Sequence, residues 1–389
     1  MLGSVTLYVG SREAAHRLGV SRATLYAYVS RGLVERRTAI DGKTSMYSVD
    51  DLDRLGARSR RQATQPRPSI DVQISSAVTR LDERRLRYRD RDAIELARTA
   101  TYEQVAELLW TGVLPDRRPD WPLAEPDDLR ASRRAVEALG PGGSALQRLL
   151  AIAPVLGAWH PDDDPPAAAR RLLMVVAEAD RPHPAGLADW LARRWHQDPD
   201  PALGPALDRA LILLADHELA TSTLAVRIAT SVRADAYAAF AAGLATVSGP
   251  LHGSAGEAAF GLLRDAAEHG AHDAIARRLD QGRRLPGFGH TVYRNGDPRL
   301  DPILEAVWRL RHTDSDRAVV DQVLREASLR LAKPPNVDLG LGVLAYLGGL
   351  APDVPMFAVA RIAGWAAHGV EELAERPVRF RGLARYPSE

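Results

Sequence analysis

The chain has 389 residues, 46% hydrophobic and 26% charged, with a formal net charge of +1; this suits a soluble globular protein of two or three domains. It contains no cysteine, which excludes disulfides, iron–sulfur clusters, thiolate zinc sites and a cysteine nucleophile. No basic segment followed by an apolar stretch opens the chain. The most apolar region, about 337–367, is broken by Asp338, Pro352, Asp353, Pro355 and Arg361, so neither a signal peptide nor a membrane span is expected and the expected location is cytoplasmic.

The small net charge hides a split. Residues 1–68 carry 12 Lys/Arg against 6 Asp/Glu, a net of +6, and the remainder carries 39 against 44. A basic module is therefore attached to a near-neutral body. Lys43 and Lys333 are the only lysines, so the arginine content reflects composition and is not itself a phosphate-binding signal.

Residues 11–31, SREAAHRLGVSRATLYAYVSR, read as two short helices around a turn. Ala14, Ala15 and Leu18 give the first an apolar face, Gly19 ends it, and Val20 fits the crease. Ser21 can cap the second helix, where Leu25 and Val29 stand at i, i+4. Arg22, Ala23, Tyr26 and Arg31 then lie on the outer side. Asp41-Gly42 in an alternating stretch signals a hairpin, and Val49–Leu52 starts another helix. This arrangement resembles the winged helix–turn–helix of MerR-like and excisionase-like DNA-binding families. The resemblance implies a domain over 1–57 whose second helix enters a major groove, with Arg22, Tyr26, Arg31, Arg36, Arg37 and Lys43 as DNA contacts. A module kept for protein contacts, with solvated charges, is the alternative. Residues 58–68, RSRRQATQPRP, read as a flexible linker.

From Ile70 onward the pattern is helical. Over 86–115, Ile94, Leu96, Ala97, Val105, Leu108 and Leu109 fall on helical faces, and Gly112 and Pro115 punctuate the end. Pro/Asp-rich segments at 116–127 and 161–166 read as loops. With no repeat and no long β alternation, an all-α architecture follows. Four punctuated motifs then carry ionisable residues: ADHELATST (215–223), GPLHGSAGEA (249–258), LPGFGHTVYRNGDPR (285–299) and PPNVDLG (334–340). His252 stands in a Gly/Pro-rich turn before an Ala-rich helix, where backbone N–H groups can gather around an anion. Asp338 sits where a helix leaves a loop against Leu339, Leu341 and Val343. It reads either as a carboxylate made more basic by burial or as a helix N-cap.

Those motifs, with LRYRDRDAIELA (86–97), ARIAGWAAH (360–368) and RPVRFRG (376–382), are similar to citrate synthase in order over about 80–386. Asp90 stands where the family has Gly, Ser254 and Gly256 depart from its G-P-L-H-G-G-A-N-E, Pro334 replaces an aromatic, Leu339-Gly340 replace bulkier residues, and Thr291 stands where some members have Arg. The resemblance implies an all-α homodimer. Its large domain would span 69–252 and 356–389, and a small mobile domain 253–355.

Condensing acetyl-CoA with oxaloacetate needs a base for a thioester methyl proton, donors at the enol and ketone oxygens, and cations for two carboxylates. The resemblance implies Asp338 as base, His252 as enol donor and His290 as ketone donor. His217, Arg299, Arg361 and Arg376 would bind the dicarboxylate, Arg376 reaching into the neighbouring subunit's site. Arg294, Gly287 and Gly289 would lie along CoA. Taken singly, each histidine reads as structural and each arginine as a salt-bridge residue; the ordered set carries the catalytic reading. The histidine spacings match no zinc motif, so no metal or cofactor is expected. Two other readings are a 2-methylcitrate synthase using propionyl-CoA, and a DNA-binding regulator that senses metabolites through this body.

Overall fold

The computed structural model describes residues 8–18, 20–30, 32–39, 44–53, 55, 72–82, 84–181, 186–249, 252–253, 255–281 and 284–382. The chain divides into two compact units, Met1–Ile74 and Ser75–Glu389.

In the first unit, helices Ser11–Leu18 and Arg22–Ser30 accompany strands Tyr8–Gly10, Arg36–Thr38 and Ser45–Ser48, the last being central in an antiparallel sheet. Ser21 Oγ accepts the Thr24 N–H at 3.2 Å and so starts the second helix. Ala14, Ala15, Leu25, Val34, Tyr47 and Leu52 form a small core. Arg22, Tyr26 and Arg36 are exposed. Arg37 is engaged locally: its Nε meets Glu35 at 2.9 Å and its guanidinium lies 4.9 Å from the Tyr8 ring centre. Arg31, Lys43, the Asp41-Gly42 turn and the 58–68 linker lie outside the described residues.

The second unit is helical, with one correction at its start. Thr79–Leu81, Leu86–Tyr88 and Arg91–Asp92 form a three-stranded antiparallel sheet where the sequence suggests helix. Leu86 and Tyr88 are buried on alternate positions. The turn between the last two strands holds Arg89 and Asp90 at φ 46° and 67°, a left-handed pair that Asp tolerates better than most residues. Asp92 then caps helix Ala93–Thr99, and a Thr101–Gln104 capping box starts Tyr102–Thr111, which Gly112 ends at φ 79°. The expected loops hold over 116–125 and 161–164, and helices begin two residues early, at Pro126 and Pro165, prolines in a first turn whose N–H would be unpaired anyway.

Helix Met356–Leu373 is the axis of this unit. Most of its residues are buried, and it packs against Tyr102–Thr111, Pro165–Val176, Leu203–Leu214, Thr221–Ser231 and Ala236–Val247. Tyr102 Oη and Trp110 Nε1 donate to its carbonyls at Ala360 and Ala363, both at 2.9 Å. Helix Ala255–His269 packs along Val337–Leu347, which also meets Leu300–Val307. Among the described residues no helix is long and apolar enough to cross a membrane, and no His/Cys/Asp/Glu cluster could hold a metal ion.

Candidate active site

Two loops far apart in sequence are laced together. Gly289 N–H donates to Pro334 O at 2.8 Å, Asn336 N–H to Gly287 O at 2.9 Å, and Asn336 Nδ2 to Gly289 O at 2.8 Å. Gly287 has φ 80°, and a Cβ there would fall 2.8 Å from Leu339 Cβ. Only a residue without a side chain lets the loop lie against the start of helix Val337–Leu347.

The cap of that helix is Asn336, whose Oδ1 accepts the Asp338 N–H at 3.0 Å. The N-cap reading of Asp338 is therefore corrected: Asp338 is the second helical residue, and its side chain is free of capping work. It lines a cavity of about 570 Å³ with Gly253, Gly256, Glu257, Leu341 and Phe357. Burial pushes its carboxyl above the usual carboxylate range, against the pull of Arg299.

His290 Nδ1 accepts the N–H groups of Val292 and Tyr293, both at 3.1 Å. A neutral imidazole bonded this way carries its proton on Nε2. That nitrogen lies 3.4 Å from Arg299 Nη2. Both are donors, so together they form a place for one acceptor oxygen. Burial, then the Arg299 charge, hold the His290 pKa below that of an ordinary histidine. Arg299 is buried and locked bidentately on Asp297, Nε to Oδ1 at 2.9 Å and Nη2 to Oδ2 at 2.8 Å.

His252 is fixed from the opposite helix. Its Nε2 accepts the Ser222 N–H at 3.3 Å and lies 2.9 Å from Ser222 Oγ. The neutral ring then carries its proton on Nδ1. Burial, then the Arg361 charge, depress its pKa. Phe357 sits between the two, its ring centre 5.7 Å from that of His252 and 4.7 Å from the Arg361 guanidinium carbon.

Arg361 is 2% exposed, and its Nε and Nη1 have no hydrogen-bond partner among the described residues. The buried Nε2 of His217 and Oη of Tyr293 are likewise unpaired there. The His217 ring lies 5.4 Å from His290 and 5.6 Å from Tyr293, centre to centre. Burial, then Arg299 and Arg361, push its pKa far down, so it is a neutral imidazole. Buried polar atoms left unpaired are costly; the nitrogens of Arg361 and the hydroxyl of Tyr293 can donate, and such a cluster suits an anion with several oxygens.

The structure thus gathers His217, His290, Arg299 and Arg361, places Asp338 in the first turn of a helix whose preceding loop is laced to that of His290, and turns His252 toward Phe357. Arg376 is exposed. Arg294 is exposed and lines a separate recess with Phe288 and Lys333. Ser254 lies outside the described residues. Sequence reasoning missed Ser222, Tyr293, Asp297 and Asn336. The signal for Asn336 is an Asx residue directly before an apolar helical run.

Residues 70–382 match the family model for the citrate synthase C-terminal domain. The 2-methylcitrate synthase of Mycobacterium tuberculosis is 30% identical over 344 residues, 77% of this chain and 84% of that one. Citrate synthase 2 of Bacillus subtilis is 34% identical over 182 residues, and there the match spans about half of that protein's length, 49%, and 45% of this chain. The crystal structure of citrate synthase from Pyrobaculum aerophilum has 26% identity and a TM-score of 0.67, covering 82% of this chain and 91% of that one.

Proposed function

The chain belongs to the citrate synthase family, and from that premise we propose that it joins acetyl-CoA to oxaloacetate and hydrolyses the product thioester to citrate and CoA. The observation that carries this reading is the buried guanidinium of Arg361, whose Nε and Nη1 have no partner among the described residues, beside the neutral His217. Arg361 and His217 hold the dicarboxylate. Asp338 takes a proton from the thioester methyl, and the C–H electron pair forms the enol carbon–carbon bond while His252 Nδ1–H donates to the thioester oxygen. The enol carbon attacks the ketone carbon. The ketone oxygen gains its charge between His290 Nε2–H and Arg299 Nη2, and water then cleaves the thioester.

The same reading assigns residues 253–355 to a small domain that closes on 69–252 and 356–389 and excludes water. It assigns Arg376 to the neighbouring subunit's site in a homodimer, and Arg294, Gly287 and Gly289 to CoA. Relatives carry both the citrate and 2-methylcitrate synthase names. One methylene is worth about 1–3 kcal/mol of discrimination, so propionyl-CoA is the competing acyl donor.

Thiol release from each acyl-CoA in the presence of oxaloacetate tests the reading, and every thiol counted is CoA because the chain has no cysteine. Release that requires both substrates is the expected result, and the ratio of kcat/KM values assigns the acyl group. No release from either acyl-CoA overturns it.

A second reading concerns residues 1–57. Arg22 and Tyr26 are exposed on a helix whose Leu25 is buried, in a segment of net positive charge. This supports a module that docks the helix on DNA. Gel shifts at increasing salt test it; absence of any salt-sensitive complex overturns it.

A further inference from the structure

Helix Met356–Leu373 carries Arg361, His368 and Glu372 on one buried stripe. Between the first two stands Gly364. A Cβ there would fall 2.4 Å from both Ala215 O and Asp216 Oδ1. Without one, the turn before helix Thr221–Ser231 docks on the helix backbone, and Gly364 N–H donates to Ala215 O at 3.0 Å.

This docking brings Asp216, the neighbour of His217, against His368. Asp216 Oδ2 lies 3.4 Å from His368 Nε2 and accepts the Glu218 N–H at 2.9 Å. On the other side of the imidazole, Arg227 Nη1 meets His368 Nδ1 at 2.9 Å. Arginine can only donate, so Nδ1 is the bare nitrogen and Nε2–H is directed at Asp216. Arg227 is itself fixed, Nη1 on Glu371 at 2.8 Å and Nε on Glu372 at 2.9 Å. Arg227, His368 and Asp216 are all buried, and no step of the proposed reaction uses them.

The two substrate-cluster arginines differ in how their charge is balanced. Asp297 closes on the Arg299 fork directly. Asp216 is turned to His368 instead, and among the described residues Nε and Nη1 of Arg361 meet no partner. We propose that Arg227 and His368 are positioning residues for dicarboxylate capture: they orient Asp216 so that its charge balances Arg361 without occupying Nε and Nη1. This rests on the dicarboxylate reading of the site. Burial drives Arg361 below the ordinary arginine range, and Asp216 is the first charge that opposes it. Burial raises Asp216, but His368 and then Arg361 carry it below the ordinary range.

The test compares H368L, H368Q and D216N with the wild-type full chain, by oxaloacetate binding in calorimetry and by steady-state kinetics. H368L removes the donor to Asp216, H368Q keeps a donor at the Nε2 position, and D216N keeps the shape without the charge. The expected result is a rise of about tenfold or more in oxaloacetate Kd and KM for H368L and D216N. The acyl-CoA KM and kcat should move about threefold or less, and H368Q should recover most of the loss. Wild-type affinity in D216N overturns the proposal even if H368L does not fold. So do equal losses for both substrates, or H368Q behaving as H368L. A wild-type chain that binds no oxaloacetate overturns the dicarboxylate reading itself; a wild type that binds with indifferent variants overturns only the positioning role of Arg227 and His368.

Discussion

Asp297 Oδ2 accepts the Val337 N–H at 3.0 Å while the same carboxylate grips Arg299 through two nitrogens. One side chain therefore sets the place of the arginine beside His290 and the first turn of the helix that carries Asp338.

Replacing Asp297 by Asn should break both functions, because an amide cannot receive a bidentate guanidinium and leaves a buried cation unbalanced. The cost of such a break is about 3–5 kcal/mol, seen as a fall in Tm on the order of 10 °C, with kcat reduced at least tenfold. Calorimetry and kinetics check it; an unchanged Tm would place the Arg299 charge balance elsewhere.

Asp338→Asn should lower CoA release by about 10²–10⁴ and leave oxaloacetate binding intact by calorimetry. The base works ionised, and burial raises its pKa. The acid limb of kcat/KM should therefore lie above the ordinary carboxylate value of about 3.9. His252 and His290 are pushed below the ordinary histidine value, so they stay neutral as pH falls through about 6.5. A limb at or below about 3.9 would count against Asp338 as base.

Gly287→Ala places a methyl against Leu339 at a backbone φ of 80°. The left-handed backbone costs about 1–2 kcal/mol, and the displaced helix start moves Asp338. Activity should fall about tenfold or more with Tm lowered only a few degrees. Equal kcat in the variant would show that the loop and helix can separate without harm.

Asp208 accepts the Tyr102 N–H at 2.9 Å. Burial and then Glu103 push its carboxyl up to about 8. The unfolded chain releases this proton near pH 3.9, so the contribution to stability is complete below that pH and is lost as pH rises toward 8. Asp208→Asn keeps the acceptor oxygen and removes the titration. The variant should melt above wild type at pH 8, and the gap should narrow at pH 5. A gap independent of pH would remove Asp208 as its cause.

The candidate site residues could be picked out because each sits in a short contiguous run with its own Gly or Pro punctuation, as His252, His290 and Asp338 do. Their supports could not, because support comes from afar. Ser222 holds His252 across 30 positions, Asp297 holds Val337 across 40, and His368 meets Asp216 across 152. The sheet at 79–92 escaped because strands of two or three residues are too short for alternation to register. The helical pattern of the body held because buried helices repeat their apolar spacing over several turns. Arg376 is exposed within its own chain, so no reading of one chain fixes its distance from a site.

The lacing of 285–299 to 334–338 also defines what can be exchanged between relatives. Grafting the first loop alone would leave Asn336 and Val337 facing foreign partners, and grafting the second alone would strand Asp297 and the carbonyls of Gly287 and Gly289. Transplanted as a pair, the two segments carry His290, Arg299 and Asp338 with their mutual geometry. The transferable module of this site is thus a discontinuous cassette, and a chimera built on contiguous sequence boundaries would cut through it.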